Sequence, residues 1–181
     1  MRIAPLLLFC IPMSLAACGD NDDVAPTCTG IGCTCTDSAC ACAAGSDCKT
    51  ECGADACSLA CTMSAKCNGN STDELTVVCN DSSECKGAGG DGSQVTCNAS
   101  SSCDFKLGAA ATANCNTSAT CKLQVGAAST ITCADSSSCT IKCDGDCRAT
   151  CTGSSECAVT CGVAASPATM CSPDVFACGP C

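Results

Sequence analysis

Cys79–Cys85 reads CNDSSEC, Cys97–Cys103 reads CNASSSC, Cys115–Cys121 reads CNTSATC, Cys133–Cys139 reads CADSSSC and Cys151–Cys157 reads CTGSSEC. Each heptapeptide starts eighteen residues after the one before it. Cys61–Cys67 extends the series by one, so six consecutive units follow C-x5-C-x11. Cys42 and Cys48 have the same spacing one residue out of register. A fixed period of this length marks an architecture of stacked, near-identical units.

The residues around the paired cysteines set the conformation of each unit. Before the first Cys stand Thr76-Val77-Val78, Gln94-Val95-Thr96, Thr112-Ala113-Asn114, Thr130-Ile131-Thr132 and Arg148-Ala149-Thr150. The middle residue is apolar between mostly polar neighbours, so it shares a face with the Cys. After the second Cys, positions +2 and +4 are Phe105/Leu107, Leu123/Val125, Ile141/Cys143 and Val159/Cys161, again on the Cys face. Gly108, Gly126 and Gly162 follow where the chain must turn. Each unit therefore reads as two strands of three to five residues joined by a Ser/Asn/Asp-rich corner and an Ala/Gly/Ser return. The expected fold is all-β, a disulfide-rich β-solenoid with 18-residue coils. The expected divisions are a Cys-dense cap over 28–60, six coils over 61–168 and a C-terminal cap over 169–181. Cys139, Cys143, Cys147 and Cys151 would align on a helix, but Thr, Ile, Gly and Asp among them oppose one.

Composition explains why such a fold needs its cysteines. The chain has 181 residues, 28 of them Cys, and a formal charge of −10. Its 46% apolar content is mostly Cys and Ala. Past residue 17 only 19 of 164 residues are Leu, Ile, Val, Met or Phe, too few to hold a chain without cross-links. There is no His, Trp or Tyr. Imidazole catalysis and His-ligated metal are thereby excluded. Nucleic-acid binding is not expected, since it needs cationic grooves and stacking faces. No catalytic constellation, cofactor site or metal site is expected, because a surface Ser without a base is inert.

The N-terminus carries Met1-Arg2, an apolar run from Ile3 to Ser14, and then Leu15-Ala16-Ala17-Cys18. The run is too short to span a bilayer stably. The tetrapeptide resembles the lipobox of bacterial lipoproteins. That resemblance implies a signal peptide over 1–17, a lipid on Cys18, an acidic tether over 18–27 (Gly19 to Thr27 reads GDNDDVAPT) and anchoring in the cell envelope, at the outer membrane or surface. The membrane, through the lipid, is the one partner this implies; a protein or surface partner stays open. Loss of Cys10 and lipidation of Cys18 leave an even 26 cysteines for pairing in an oxidising compartment.

TCNASSSC and TCADSSSC also resemble repeats of the beetle antifreeze proteins, disulfide-bonded β-solenoids with twelve-residue coils. The resemblance implies a solenoid and raises ice binding by outward Thr-x-Thr. Of the candidate pairs only Thr130/Thr132 has both threonines, and Gln94 and Arg148 interrupt the row.

For the cysteines the expectation is one disulfide across each corner: Cys61–Cys67, Cys79–Cys85, Cys97–Cys103, Cys115–Cys121, Cys133–Cys139 and Cys151–Cys157, with Cys42–Cys48. Cys52/Cys57 and Cys143/Cys147 would pin the returns, and Cys161–Cys171 and Cys178–Cys181 the C-terminal cap. Vertical pairing between stacked cysteines about 4.8 Å apart is also within disulfide reach, and spacing leaves both open.

Other signals have plainer readings. Cys33-x-Cys35 and Cys40-x-Cys42 have the spacing of thiolate metal clusters, yet the period and the leader favour disulfides. Cys178-Gly179-Pro180-Cys181 is the thioredoxin tetrapeptide, but no βαβ pattern precedes it. Asn70, Asn80, Asn98 and Asn116 lie in N-x-S/T sequons and are expected at corners, as residues that accept left-handed geometry and make Asx-turns. Asp81, Glu84, Asp135, Asp144, Asp146 and Glu156 match no calcium loop and read as a solvated surface.

Overall fold

A computed structural model describes residues 25–181. The expected signal peptide, Cys18 and most of the tether lie outside the described residues. Within them every regular element is a strand. In chain order these are β1 (Thr27–Thr29), β2 (Cys33–Thr36), β3 (Ala39–Cys42), β4 (Asp47–Glu51), β5 (Cys57–Cys61), β6 (Lys66–Asn70), β7 (Leu75–Cys79), β8 (Glu84–Gly89), β9 (Gln94–Cys97), β10 (Ser102–Leu107), β11 (Thr112–Cys115), β12 (Thr120–Val125), β13 (Ser129–Cys133), β14 (Ser138–Cys143), β15 (Cys147–Cys151), β16 (Glu156–Cys161), β17 (Ser166–Pro167), β18 (Thr169–Ser172) and β19 (Val175–Cys178).

The strands alternate between two sheets. Sheet A runs β1-β4-β6-β8-β10-β12-β14-β16-β17, and sheet B runs β18-β19-β15-β13-β11-β9-β7-β5-β3-β2. From β3 and β4 to β15 and β16, each strand pairs parallel with its copy in the next coil, with cysteine above cysteine: Cys79 on Cys97, Cys103 on Cys121. The fold is a β-solenoid of about seven turns, and its parallel stack begins at Ala39, ahead of the six units of strict period. The second strand of most units has six residues, one more than expected, because it starts one residue ahead of the corner Cys, at Ser102 or Thr120, and runs on to the +4 position at Leu107 or Val125.

The period-two reading of the faces holds. Val77, Val95, Ala113, Ile131 and Ala149 point inward from sheet B with their cysteines, and Phe105, Leu123 and Ile141 point inward from sheet A. Between the sheets lies one narrow column of Cys, Leu, Val, Ile and Ala.

Each first corner is a tight turn. In Asn80–Ser83 the Ser83 amide donates to the Asn80 carbonyl at 3.2 Å, and Asp81 and Ser82 have φ of 55° and 61°. Two successive left-handed residues are the signature of a type I′ turn, here joining a strand of sheet B to one of sheet A. Ala99/Ser100, Thr117/Ser118 and Asp135/Ser136 repeat it. Left-handed geometry costs a non-Gly residue about 1–2 kcal/mol. The stack offsets that cost: Ser82 N–H donates to Ala99 O, Ser100 to Thr117 O and Ser118 to Asp135 O, at 2.9–3.0 Å. The expectation that Asn takes the left-handed position is therefore corrected. Asn80, Asn98 and Asn116 precede it, and their amides form a ladder, Asn98 Nδ2 to Asn80 Oδ1 and Asn116 Nδ2 to Asn98 Oδ1, each 3.1 Å.

At the opposite edge, Ser93 Oγ donates to Gly90 O at 2.7 Å and accepts from the buried Leu75 N–H at 3.0 Å. Ser129 does the same between Gly126 O and Ala111 N–H. Gly108 and Gly126 turn the chain without positive φ; a Cβ on Gly108 would sit 2.6 Å from the Asp91 nitrogen, so the reason for glycine is close stacking of coils.

Short antiparallel strands end both sheets. β1 lies on β4 and β17 on β16; β2 lies on β3, and β19 on β15 with β18 beyond it. Edges this short offer little template for end-to-end growth.

Candidate functional site

The cysteines come first, being the commonest reactive residue type. All 26 in the described residues are joined in disulfides. The corner pairs are Cys42–Cys48, Cys61–Cys67, Cys79–Cys85, Cys97–Cys103, Cys115–Cys121, Cys133–Cys139 and Cys151–Cys157. Each bridges a sheet B strand to the sheet A strand that follows. Cys52–Cys57 and Cys143–Cys147 stitch the opposite edge. Cys28–Cys33 and Cys35–Cys40 close the N-terminal turns. At the C-terminus the expected Cys161–Cys171 and Cys178–Cys181 are replaced by Cys161–Cys178 and Cys171–Cys181. The reason is the antiparallel β19. It places Cys178 beside Cys147 at the end of the stack, within 5.5 Å (Cα–Cα) of Cys161, and leaves Cys181 to reach Cys171. Local sequence distance gives no hint of that crossing.

Stacking brings sulfurs of neighbouring coils together. Those of Cys79, Cys97 and Cys103 lie within 4.8 Å of one another, as do those of Cys61, Cys67 and Cys85. Geometry alone would allow a thiolate cluster, but sulfurs paired in disulfides lack the thiolate charge that binds zinc.

The two outer faces differ sharply. On sheet B the outward rows are Ser58, Thr76, Gln94, Thr112, Thr130 and Arg148, and Ala60, Val78, Thr96, Asn114, Thr132 and Thr150. Arg148 is the only charged residue in them. The candidate Thr positions are in register, yet only β13 presents two threonines, and Gln94 reaches aside to Glu74 Oε1 at 3.2 Å.

Sheet A carries charge instead. Its outward positions hold all six lysines of the chain: Lys49, Lys66, Lys86, Lys106, Lys122 and Lys142. Lys122 pairs with Asp104 at 3.2 Å and Lys142 with Asp144 at 3.6 Å, all exposed. Lys49 lies 2.9 Å from Glu51. That hydrogen bond, helped by one from Asn70, holds the Glu51 carboxyl below its usual range against a small burial effect in the other direction. A groove of about 410 Å³ runs over this face, with Lys106, Lys122, Lys142, Gln124, Thr140 and Thr160 on it.

Sequence reading missed this surface. The signal was present: every lysine sits at an odd offset from its corner Cys, such as Lys86 and Lys122 at +1 and Lys106 and Lys142 at +3, so alternation sends them all outward together. The acids Asp73, Asp81, Asp91, Asp135, Asp144 and Asp146 lie at the turns between strands. No family model, curated protein or solved structure matches the chain.

Proposed function

We propose that this is an exported, lipid-anchored protein of the bacterial cell envelope, with a structural or surface-interaction role and no catalytic one. The observation that carries the reading is the thirteen-disulfide column in a chain too poor in apolar residues to fold without it. Disulfides at this density persist only in an oxidising compartment. The Leu15-Ala16-Ala17-Cys18 tetrapeptide supplies the route and the anchor, and the residues after it supply a short spacer. No His is present, and the exposed carboxylates are ion-paired or solvated, which supports a non-catalytic role. Stacked coils with short terminal strands make a stiff element that displays its two faces. The test is intact mass and membrane fractionation of the full chain expressed in a bacterium. Diacylglyceryl on Cys18 and membrane retention, both lost in Cys18→Ala, are the expected result; an unmodified, soluble mature chain overturns the anchor.

A second reading is a ligand-binding solenoid. Sheet B favours ice as the ligand, since Thr96, Thr132 and Thr150 stand in one register row, with Asn114 between the first two. Thermal hysteresis and ice-crystal shaping by the purified protein are the measurements, and their absence removes it. Free thiols in an alkylation count would instead favour metal.

A further inference from the structure

We propose that the groove on the outer face of sheet A binds a linear acidic polysaccharide. Lys86, Asp104 and Lys122 stand in register on adjacent strands, and Lys106, Gln124 and Lys142 stand in register beside them. Adjacent rungs of a parallel sheet are about 4.8 Å apart, so each row repeats its cation at about 10 Å along the solenoid axis. The two rows are offset by one strand. An extended polymer lying along the axis therefore meets cations alternately from its two sides. Lys86 and Lys106 have no ion pair within 4.0 Å among the described residues. Of the three groove lysines, Lys122 and Lys142 pair with Asp104 and Asp144, and Lys106 is left to face a ligand.

The surroundings select the kind of anion. The chain carries −10 overall, with acids along the corners that flank both sheets, and such a field repels a densely charged polymer. Duplex DNA, with one charge per about 1.7 Å, is disfavoured on that ground. The chain has no Trp or Tyr on which bases could stack. A sugar polymer with sparse carboxylates or sulfates suits a cation every second rung. The neutral Gln124 stands between Lys106 and Lys142, where its amide nitrogen donates to Asp144 and its carbonyl is left to accept, and Thr140 beside Lys122 offers a hydroxyl to ring hydroxyls. The inference deepens the surface-interaction reading by naming a partner class, and it does not depend on the lipid: binding that survives in Cys18→Ala separates a failure of the anchor from a failure of the groove.

The test is titration of the full chain with hyaluronate, which carries one carboxylate per disaccharide, with neutral dextran as the control and dextran sulfate as the densely charged comparison, at about 20 mM and about 150 mM salt, where screening differs strongly. Hyaluronate should bind at low salt and weaken at high salt, and neutral dextran should not bind. Replacing Lys106, Lys122 and Lys142 together by Gln should weaken binding about tenfold or more, and replacing Lys49 and Lys66 should change it by less than about twofold, in line with loss of close rather than distant charge. Circular dichroism confirms that both variants are folded. No binding of hyaluronate at low salt overturns the proposal. So does an equal loss in both variants, or tighter binding to dextran sulfate, to duplex DNA or to phosphatidylglycerol vesicles than to hyaluronate.

Discussion

Two stretches of the core are filled from opposite sides. In the coils around residues 57–89 the bulk comes from sheet B, as Leu59, Leu75 and Val77, while sheet A offers Gly69, Gly87 and Gly89. In the coils around residues 103–125 the bulk comes from sheet A, as Phe105, Leu107, Leu123 and Val125, while sheet B offers Ala111 and Ala113. The backbone path and the corner disulfides are the same in both. The period therefore constrains where the chain goes and the summed volume of a cross-section, and leaves open which sheet supplies that volume. The contact is tight: a Cβ added to Gly69 would lie 2.8 Å from Leu59 Cδ2, and one on Gly89 would lie 2.9 Å from Leu75 Cβ. Interiors are packed to crystal density, so a change on one side demands its opposite across the column.

The largest effect on this comparison comes from reduction, which removes what the two stretches share. A corner loop of this size contributes about 2–3 kcal/mol by chain-entropy arithmetic, and thirteen such bonds exceed the whole stability of an ordinary domain, about 5–15 kcal/mol. Full reduction should abolish the β-signal in circular dichroism. With partial reduction, hydrogen exchange should rise first around Gly69 and Gly87, where sheet A contributes no side chain to the column. A melt unchanged by reductant would overturn the view that sulfur replaces the core.

Removing the largest side chain comes next. Phe105 is 2% exposed, and Phe105→Ala should cost about 3–5 kcal/mol in denaturant unfolding. In a stack where each coil touches only its neighbours the damage should stay local. Increased exchange confined to β8–β12 is expected; an equal increase in β3–β6 would mean the two stretches are one cooperative unit. A smaller effect comes from reversing the filling. Gly69→Val should cost about 1–3 kcal/mol through overpacking against Leu59. Leu59→Ala alone is also destabilising, yet the double variant should recover part of the sum. A double-mutant coupling near zero would remove the claim of compensation across the column.

How far this was legible in sequence depends on the range of the signal. The corner cysteines, the inward Val77 and Ile131, and the coil length follow from local spacing and alternation, because a strand's faces are set by its own residues. The Cys161–Cys178 bond was not legible, since it depends on β19 folding back antiparallel onto β15, and nothing in residues 169–181 repeats the earlier units. The exchange of bulk between Leu59 and Phe105 was hidden for a related reason: it appears only when opposed strands are read together. The lysine face of sheet A lies between these cases. Each lysine was visible as an outward residue, and only the register of Lys86 with Lys122 and of Lys106 with Lys142 turns them into one surface.

The smallest effect concerns one position of the first corner, occupied by Ala65, Ser83, Ser101, Ala119 and Ser137 in successive coils, all buried. Ser101 Oγ donates to Cys79 O at 2.9 Å and touches Cys97 Sγ at 3.2 Å. Ser83 Oγ and Ser137 Oγ have no hydrogen-bond partner among the described residues. A buried hydroxyl without a partner costs about 1–3 kcal/mol relative to one that is satisfied, and alanine fits this site in two coils already. Ser83→Ala and Ser137→Ala should therefore be neutral or raise stability by up to about 1 kcal/mol, whereas Ser101→Ala should lower it by about 1 kcal/mol. The three variants differ by the same single oxygen, so side-chain volume and helix or strand propensity cancel between them. Ser83 belongs to the glycine-rich stretch filled from sheet B, and the coil of Ser137 is filled from both sheets by Ile131 and Ile141. If both gain equally, the hydroxyl's surroundings at the corner are independent of which sheet fills the column; a gain at one alone would tie the corner to the filling beside it.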